Sequence, residues 1–255
     1  MGLKKTEAFV LLTYPLAETH KICVLFTRNS GIVRAVAHGA RRIRSRFGSS
    51  LEPFTEVQVT YFEKEGRELV RLEGCDILRS YFEQVSQPEK AAALSYVTEL
   101  LCAFLPANDP NEKVYRLVSA VVNALAADAD LDSLLRYFEV WLLKLSGFFP
   151  DLRICAGCDS RIDPTSGVWV ANDGTPLCYS CSEGRGTHIE PSLGGTVDAI
   201  FKLAPAAFAR LDKPHEHLVG IGNYCYKLIR RSLERDLKSY GLMVQLRADI
   251  INTKR

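Results

Sequence analysis

Four cysteines carry the strongest chemical signal in the chain: C-A-G-C at Cys155 and Cys158, nineteen residues, then C-Y-S-C at Cys178 and Cys181. Two C-x-x-C pairs separated by about fifteen to twenty residues form the spacing that gathers four thiolates around one zinc ion. Four protein ligands fill the tetrahedron and leave no position for water or substrate, so the expected role is structural. Two other chemistries use the same residues. Disulfides belong to oxidising compartments, and the opening M-G-L-K-K-T-E is not an apolar signal segment. A redox C-x-x-C would follow a strand and open a helix. Here Gly157, Asp159, Pro164, Gly167, Asn172, Asp173, Gly174 and Pro176 surround the pairs with turn chemistry instead. Zinc is the expectation. Cys23, Cys75, Cys102 and Cys225 stand among apolar residues and read as small buried hydrophobes.

A second chemical signal lies in R-A-V-A-H-G-A-R-R-I-R-S-R-F-G-S-S, residues 34–50. It holds Arg34, His38, Arg41, Arg42, Arg44, Arg46 and Phe47, with no acidic residue between Glu18 and Glu52. Guanidinium forks match phosphate oxygens in pairs, and an aromatic ring offers a face to an unstacked base. Nucleic-acid binding is expected here, against the plainer reading of a solvated charged loop. A weaker candidate for a second contact is the set Lys227, Arg230, Arg231, Arg235 and Lys238 near the end of the chain, which a solvated helix face explains equally well.

Elements must hold these groups in place. Residues 7–13, 21–26, 32–37, 57–62 and 69 to about 78 are rich in β-branched and aromatic residues and read as five strands. Arg28-Asn29-Ser30-Gly31 turns the second strand into the third, and Glu65-Gly66-Arg67 turns the fourth into the fifth. Five strands in so short a stretch hide their edges best in a closed or nearly closed barrel. The five-stranded OB type is the first expectation and a small SH3-like barrel the second. From Pro88 the apolar period becomes helical. One helix carries Leu94, Val97, Leu100, Leu101, Phe104 and Leu105, and a second starts near Asp109-Pro110. A third is capped at Asp130 to Asp132 and ended by Gly147. After the cysteine segment come a helix from Ser192 to Leu203 and one long helix from His215 to Tyr240. The fold class is therefore α+β in two domains: a barrel over 1–80, and a helical domain over 81–255 with the zinc motif inserted at about 151–185.

Composition limits the alternatives. The 255 residues are 47% hydrophobic and 24% charged, as in an ordinary globular chain with room for about two domains. No run of eighteen apolar residues suggests a membrane span. The net charge of +2 hides a partition: +4 over residues 1–80, −7 over 81–220 and +5 over 221–255. Basic ends around an acidic middle point to a polyanionic partner for the ends. There is no G-x-x-x-x-G-K-[ST], G-x-S-x-G or H-E-x-x-H. The histidines at 20, 38, 188, 215 and 217 are scattered, and no carboxylate pair stands out. No enzymatic activity is expected.

Residues 31–54, G-I-V-R-A-V-A-H-G-A-R-R-I-R-S-R-F-G-S-S-L-E-P-F, and residues 14–27, Y-P-L-A-E-T-H-K-I-C-V-L-F-T, resemble the bacterial recombination-mediator family RecO. The lead-in Gly147-Phe148-Phe149-Pro150-Asp151-Leu152 and the cysteine pairs are similar as well. His38 departs from the lysine or arginine of many relatives. The resemblance implies a non-enzymatic DNA-repair protein of the bacterial cytoplasm, associated with the nucleoid. It implies binding of single- and double-stranded DNA, annealing of complementary strands, and contact with the C-terminal tail of single-strand-binding protein. With the partner RecR, such a protein helps RecA load on coated strands. Some members lack the cysteines, which implies that zinc is not essential to the shared activity. Two other functions use the same elements: a zinc-ribbon RNA-binding protein, and a protein scaffold with no nucleic-acid affinity.

Overall fold

The structure, a computed structural model, describes residues 2–64 and 68–253, with side chains described through residue 246. The expected turn at Glu65-Gly66-Arg67 lies outside the described residues. The chain divides into two compact units, Met1–Arg116 with Leu237–Arg255, and Leu117–Asp236.

The first unit opens with five strands: β1 (Gly2–Leu16), β2 (His20–Thr27), β3 (Gly31–Ala37), β4 (Glu56–Glu63) and β5 (Leu69–Arg79). They close into a barrel in the order β1-β2-β3-β5-β4. β1 outruns its expected length because it serves two partners. Gly2 to Phe9 pair with β4, and Ala8 to Leu16 pair with β2. The ring closes through a short parallel pairing of Arg34, Ala35 and Val36 with Leu69, Val70 and Arg71. In the β2–β3 turn only Gly31 takes a positive φ, at 64°. A Cβ there would stand 2.1 Å from the carbonyl oxygen of Asp109. Glycine is therefore required both by backbone conformation and by the segment packed against the hairpin.

Alternate residues fill the barrel: Ala8, Val10, Cys23, Leu25, Val57, Val59, Tyr61 and Leu72 among others. Two further members of this core do not come from strands. Phe47 and Leu51 flank a 3₁₀ turn, Gly48–Leu51, and are 4% and 2% exposed. Ser50 fixes the turn by donating from Oγ to the Phe47 carbonyl at 2.7 Å. This overturns the expectation that Phe47 stacks on a base. Its ring is buried inside the barrel, where a phenyl group gains more than in water.

The helices α1 (Phe82–Val85), α2 (Pro88–Phe104) and α3 (Glu112–Ala126) follow. The start of α3 belongs with the barrel because Tyr115 packs against Phe9 and Phe26, with ring centroids 5.3 and 5.6 Å apart. Arg28 adds bonds to Glu7 at 2.7 Å and Glu112 at 2.8 Å. Compactness thus falls at a different place from the change of sequence period at residue 80. The cap of α3 is Asn111, whose Oδ1 accepts from the Val114 amide at 3.1 Å, and not the Asp109-Pro110 pair. Cys102 is exposed, contrary to expectation, because it lies off the α2 stripe formed by Leu94, Val97, Leu100 and Leu101.

The second unit holds α4 (Leu131–Leu145), β6 (Val168–Val170), β7 (Pro176–Leu177), α5 (Tyr179–Ser182), β8 (Thr187–Ile189), α6 (Pro191–Lys202), α7 (Pro205–Arg210) and α8 (His215–Leu233). Asp130 caps α4 by accepting from the Ser133 amide at 2.8 Å, as expected. The three short strands form one sheet in the order β7-β6-β8. The expected long final helix is two helices. Glu234 ends α8 in the left-handed region at φ 52°, and α9 (Lys238–Thr253) begins afresh. The α9 start is capped by Glu99 of α2, which accepts from the Ser239 amide at 2.9 Å.

Because Phe47 is a core residue, Phe47→Ala should cost about 3 kcal/mol of stability. Chemical denaturation of the full chain measures it. A loss below about 0.5 kcal/mol, the level of an ordinary surface substitution, would contradict the burial.

Candidate nucleic-acid interface and metal centre

The basic loop between β3 and β4 is held at both feet. At the first, the Gly39 amide donates to His20 Nδ1 at 3.0 Å and the Arg41 amide to the Thr19 carbonyl at 3.0 Å. Arg41 also donates from Nη1 to the Ala17 carbonyl at 2.9 Å. The exposed His38 ring meets the His20 ring edge-on, 4.7 Å between centroids. At the second foot, the Arg46 guanidinium lies over the Phe47 ring at 4.9 Å and reaches the Leu72 carbonyl at 3.3 Å.

Between these feet, Arg42, Ile43 and Arg44 are exposed, Ile43 fully so. The guanidiniums of Arg34, Arg42 and Arg44 enter no ion pair among the described residues. Arg46 does, at 3.8 Å from Glu73. Of the seven residues expected from sequence, six are exposed along one loop and its flanking strand, and Phe47 is not. Ile43, an isolated aliphatic residue between two arginines, belongs to the same exposed stretch.

The second basic set is divided between the two units. Lys238 lies on α9, which belongs to the first unit, whereas the other four lie in the second. Arg230, Arg231 and Arg235 all engage other groups of the protein. Arg230 Nε pairs with Asp236 at 2.8 Å. Arg231 donates from Nη1 to the Asp173 carbonyl at 3.2 Å and to Thr175 Oγ1 at 3.4 Å. Lys227, Arg230, Arg231 and Arg235 line a cavity of about 670 Å³ together with Asp173 and Tyr226. Their charge is thus partly spent on joining α8 to the turn between β6 and β7.

That turn belongs to the cysteine lobe. Gly174 has φ 90°, and a Cβ there would lie 2.6 Å from Leu228. Tyr224 donates to the Gly174 carbonyl at 3.0 Å. The lobe is seated on α8 by these contacts, and the seat positions the second cysteine pair just beyond β7. The sulfurs of Cys155, Cys158, Cys178 and Cys181 all lie within 4.8 Å of one another. A tetrahedral ion with thiolates at about 2.3 Å sets its sulfurs about 3.8 Å apart. Cys158 and Cys178 stand 3.9 Å apart, so the residues fit such an ion.

The second pair does follow a strand and open a short helix, the setting expected for redox chemistry. Convergence with the first pair separates the two cases, since a redox pair needs only two sulfurs. Burial opposes a thiolate at Cys155, but amides of Cys178, Gly157 and Cys158 outweigh it and bring the thiol down to about 6. Cys158 is lowered by Ser160. Cys181 is pushed up to about 12 by the other three sulfurs, which resist a further negative charge beside them. A cation removes that repulsion, which is the electrostatic case for a metal at this point. Titrating the thiols with a mercurial should release bound metal, read with a metallochromic dye. Protein purified without chelator that contains no metal would contradict the assignment.

Two family models match the chain, and they divide it near the change of sequence period rather than at the boundary of the compact units. The model for the N-terminal part of recombination protein O matches residues 1–81. The model for its C-terminal part matches residues 85–241. A DNA repair protein RecO of Koribacter versatilis is 33% identical over 244 residues, covering 96% of this chain and 99% of the relative. The RecO of Geobacter metallireducens is 31% identical over 98% of this chain and 100% of its own length. That of Symbiobacterium thermophilum is 32% identical over 97% and 99%. Matched along nearly its whole length in both parts, the chain belongs to the recombination protein O (RecO) family.

Proposed function

We propose that the chain is a DNA repair and recombination mediator that grips nucleic acid through the β3–β4 loop of an OB-type barrel. The observation that carries this reading is the trio Arg34, Arg42 and Arg44, exposed and without ion pairs among the described residues. Unpaired guanidiniums are available to phosphates without first breaking a protein contact. His38, Arg41 and Arg46 add cationic or polar reach, and the chain's path over the barrel keeps the group together. The phosphate backbone supplies most of the affinity, so both single- and double-stranded DNA are accepted.

Annealing follows from the same charge. Each strand held on a cationic loop repels its complement less, and added salt weakens the effect. No bond is made or broken, so the protein is not an enzyme. The four thiolates hold a structural zinc ion that braces the second unit. In this reading the protein acts in the bacterial cytoplasm on nucleoid DNA. Its protein partners are RecR, the C-terminal tail of single-strand-binding protein and, indirectly, RecA. Lys227, Arg230, Arg231, Arg235 and Lys238 are the candidates for a second, weaker DNA contact.

The test is fluorescence anisotropy on labelled single-stranded DNA over a salt series, with the Arg42→Ala/Arg44→Ala variant beside wild type. Each lost phosphate contact should flatten the slope of log K against log salt by about 0.7, so by about 1.4 for the pair. Affinity at fixed salt should fall for every sequence alike. An unchanged slope would remove the loop from the interface.

A further inference from the structure

The small sheet of the cysteine lobe has two unlike faces. Val168, Val170 and Ile189 turn inward and are 5%, 1% and 6% exposed. Trp169 points the other way and is only half-buried, paired across the sheet with Leu177 on β7 and His188 on β8. Directly paired residues share a face, so these three side chains line the outer surface. The His188 ring lies 4.9 Å from the Trp169 ring at an interplanar angle of 36°. Tyr179, between the second pair of cysteines, stands 6.2 Å from the same indole and is 70% exposed.

The His188 ring against Trp169 is fixed. His188 has Glu190 at 3.2 Å on Nδ1 and the Ser166 carbonyl at 3.0 Å on Nε2. The indole N–H of Trp169 has no partner among the described residues. A rigid aromatic group with an apolar face and a free donor is the kind of residue that dominates protein interfaces.

The surrounding charge decides the occupant. Residues 151–190 contain six carboxylates, Asp151, Asp159, Asp163, Asp173, Glu183 and Glu190, against Arg153, Arg161 and Arg185. A divalent ion inside four thiolates adds two more negative charges. Asp151, Asp173 and Glu183 pair with Arg153, Arg231 and Arg185, while Glu190 stands beside the His188 ring that packs on Trp169, so the carboxylate at the aromatic group is Glu190. Aromatic faces beside carboxylates attract guanidinium and ammonium groups.

We propose that the outer face of β6, β7 and β8, with Tyr179, docks an arginine-rich segment of a partner protein, a guanidinium lying against Trp169 and Tyr179 with Glu190 at the rim. This site is separate from the barrel loop and does not rest on DNA binding there.

The experiment titrates the full metal-containing chain into a fluorescein-labelled heptapeptide of arginine at about 0.15 M salt, where loose charge attraction is screened. Saturable binding is expected, weakened about fivefold by Tyr179→Ala. Trp169→Leu, which keeps apolar bulk but removes the ring, should weaken it by about the same factor. Glu190→Gln should weaken it about twofold. The Arg42→Ala/Arg44→Ala variant should bind the peptide as wild type does, so a failure of the DNA reading leaves this outcome intact. No saturable binding, or affinity unchanged in both Tyr179→Ala and Trp169→Leu, would overturn the proposal. Displacement of the peptide by a single-stranded oligonucleotide that loses affinity in Trp169→Leu would overturn it too, by making the face a base-stacking site.

Discussion

The fold around the basic loop depends on where Phe47 goes. A five-stranded barrel of this length needs filling from outside its strands, and Phe47 and Leu51 supply that filling from the 3₁₀ turn. Their burial fixes the far foot of the loop to the barrel core. The near foot is fixed to the β1–β2 turn through His20, Thr19 and Ala17. A segment pinned at both ends has less conformational entropy to lose when it binds. Between the pins, Arg42 and Arg44 enter no ion pair among the described residues, and Ile43 is fully exposed. Charge that elsewhere in the chain is paired, as Arg28 is with Glu7 and Glu112, is left open here.

The second unit spends its charge differently. Arg136 and Glu139 form a buried pair at 2.9 Å within α4, with side chains 10% and 0% exposed. Such a pair contributes little net stability, but losing one partner strands a charge in the core. Arg231 and Tyr224 hold the β6–β7 turn on α8. The cysteine lobe is therefore held on α8 by this seat. Its aromatic face follows from the strand alternation of β6, in which half-buried Trp169 lies outward between inward Val168 and Val170.

Local signals in the sequence were read well where local chemistry decides. Alternating β-branched residues marked all five strands, and the cysteine spacing marked a cluster that does converge. Asp130 caps α4 as its type and position suggest. Decisions made by tertiary packing were not legible. Phe47 sits among arginines in the chain, so only the barrel's need for filling reveals it as core. The break after α8 has no glycine or proline to announce it; Glu234 takes the left-handed conformation, and the Arg230–Asp236 pair spans the bend. Asn111 outcompetes Asp109-Pro110 as a cap because residues 107–109 are drawn onto the β2–β3 hairpin, where the Asn108 amide bonds the Ile32 carbonyl at 3.0 Å. The outward position of Trp169 needed the pairing register of β6 with β7 and β8.

The central claim is that the pinned loop is the principal grip on nucleic acid. Hydrogen-exchange mass spectrometry of the full chain, with and without a single-stranded oligonucleotide, tests it directly. The account predicts new protection confined mainly to residues 38–46, with the β6–β8 face unchanged. Protection of the cysteine lobe with none in the loop would contradict it.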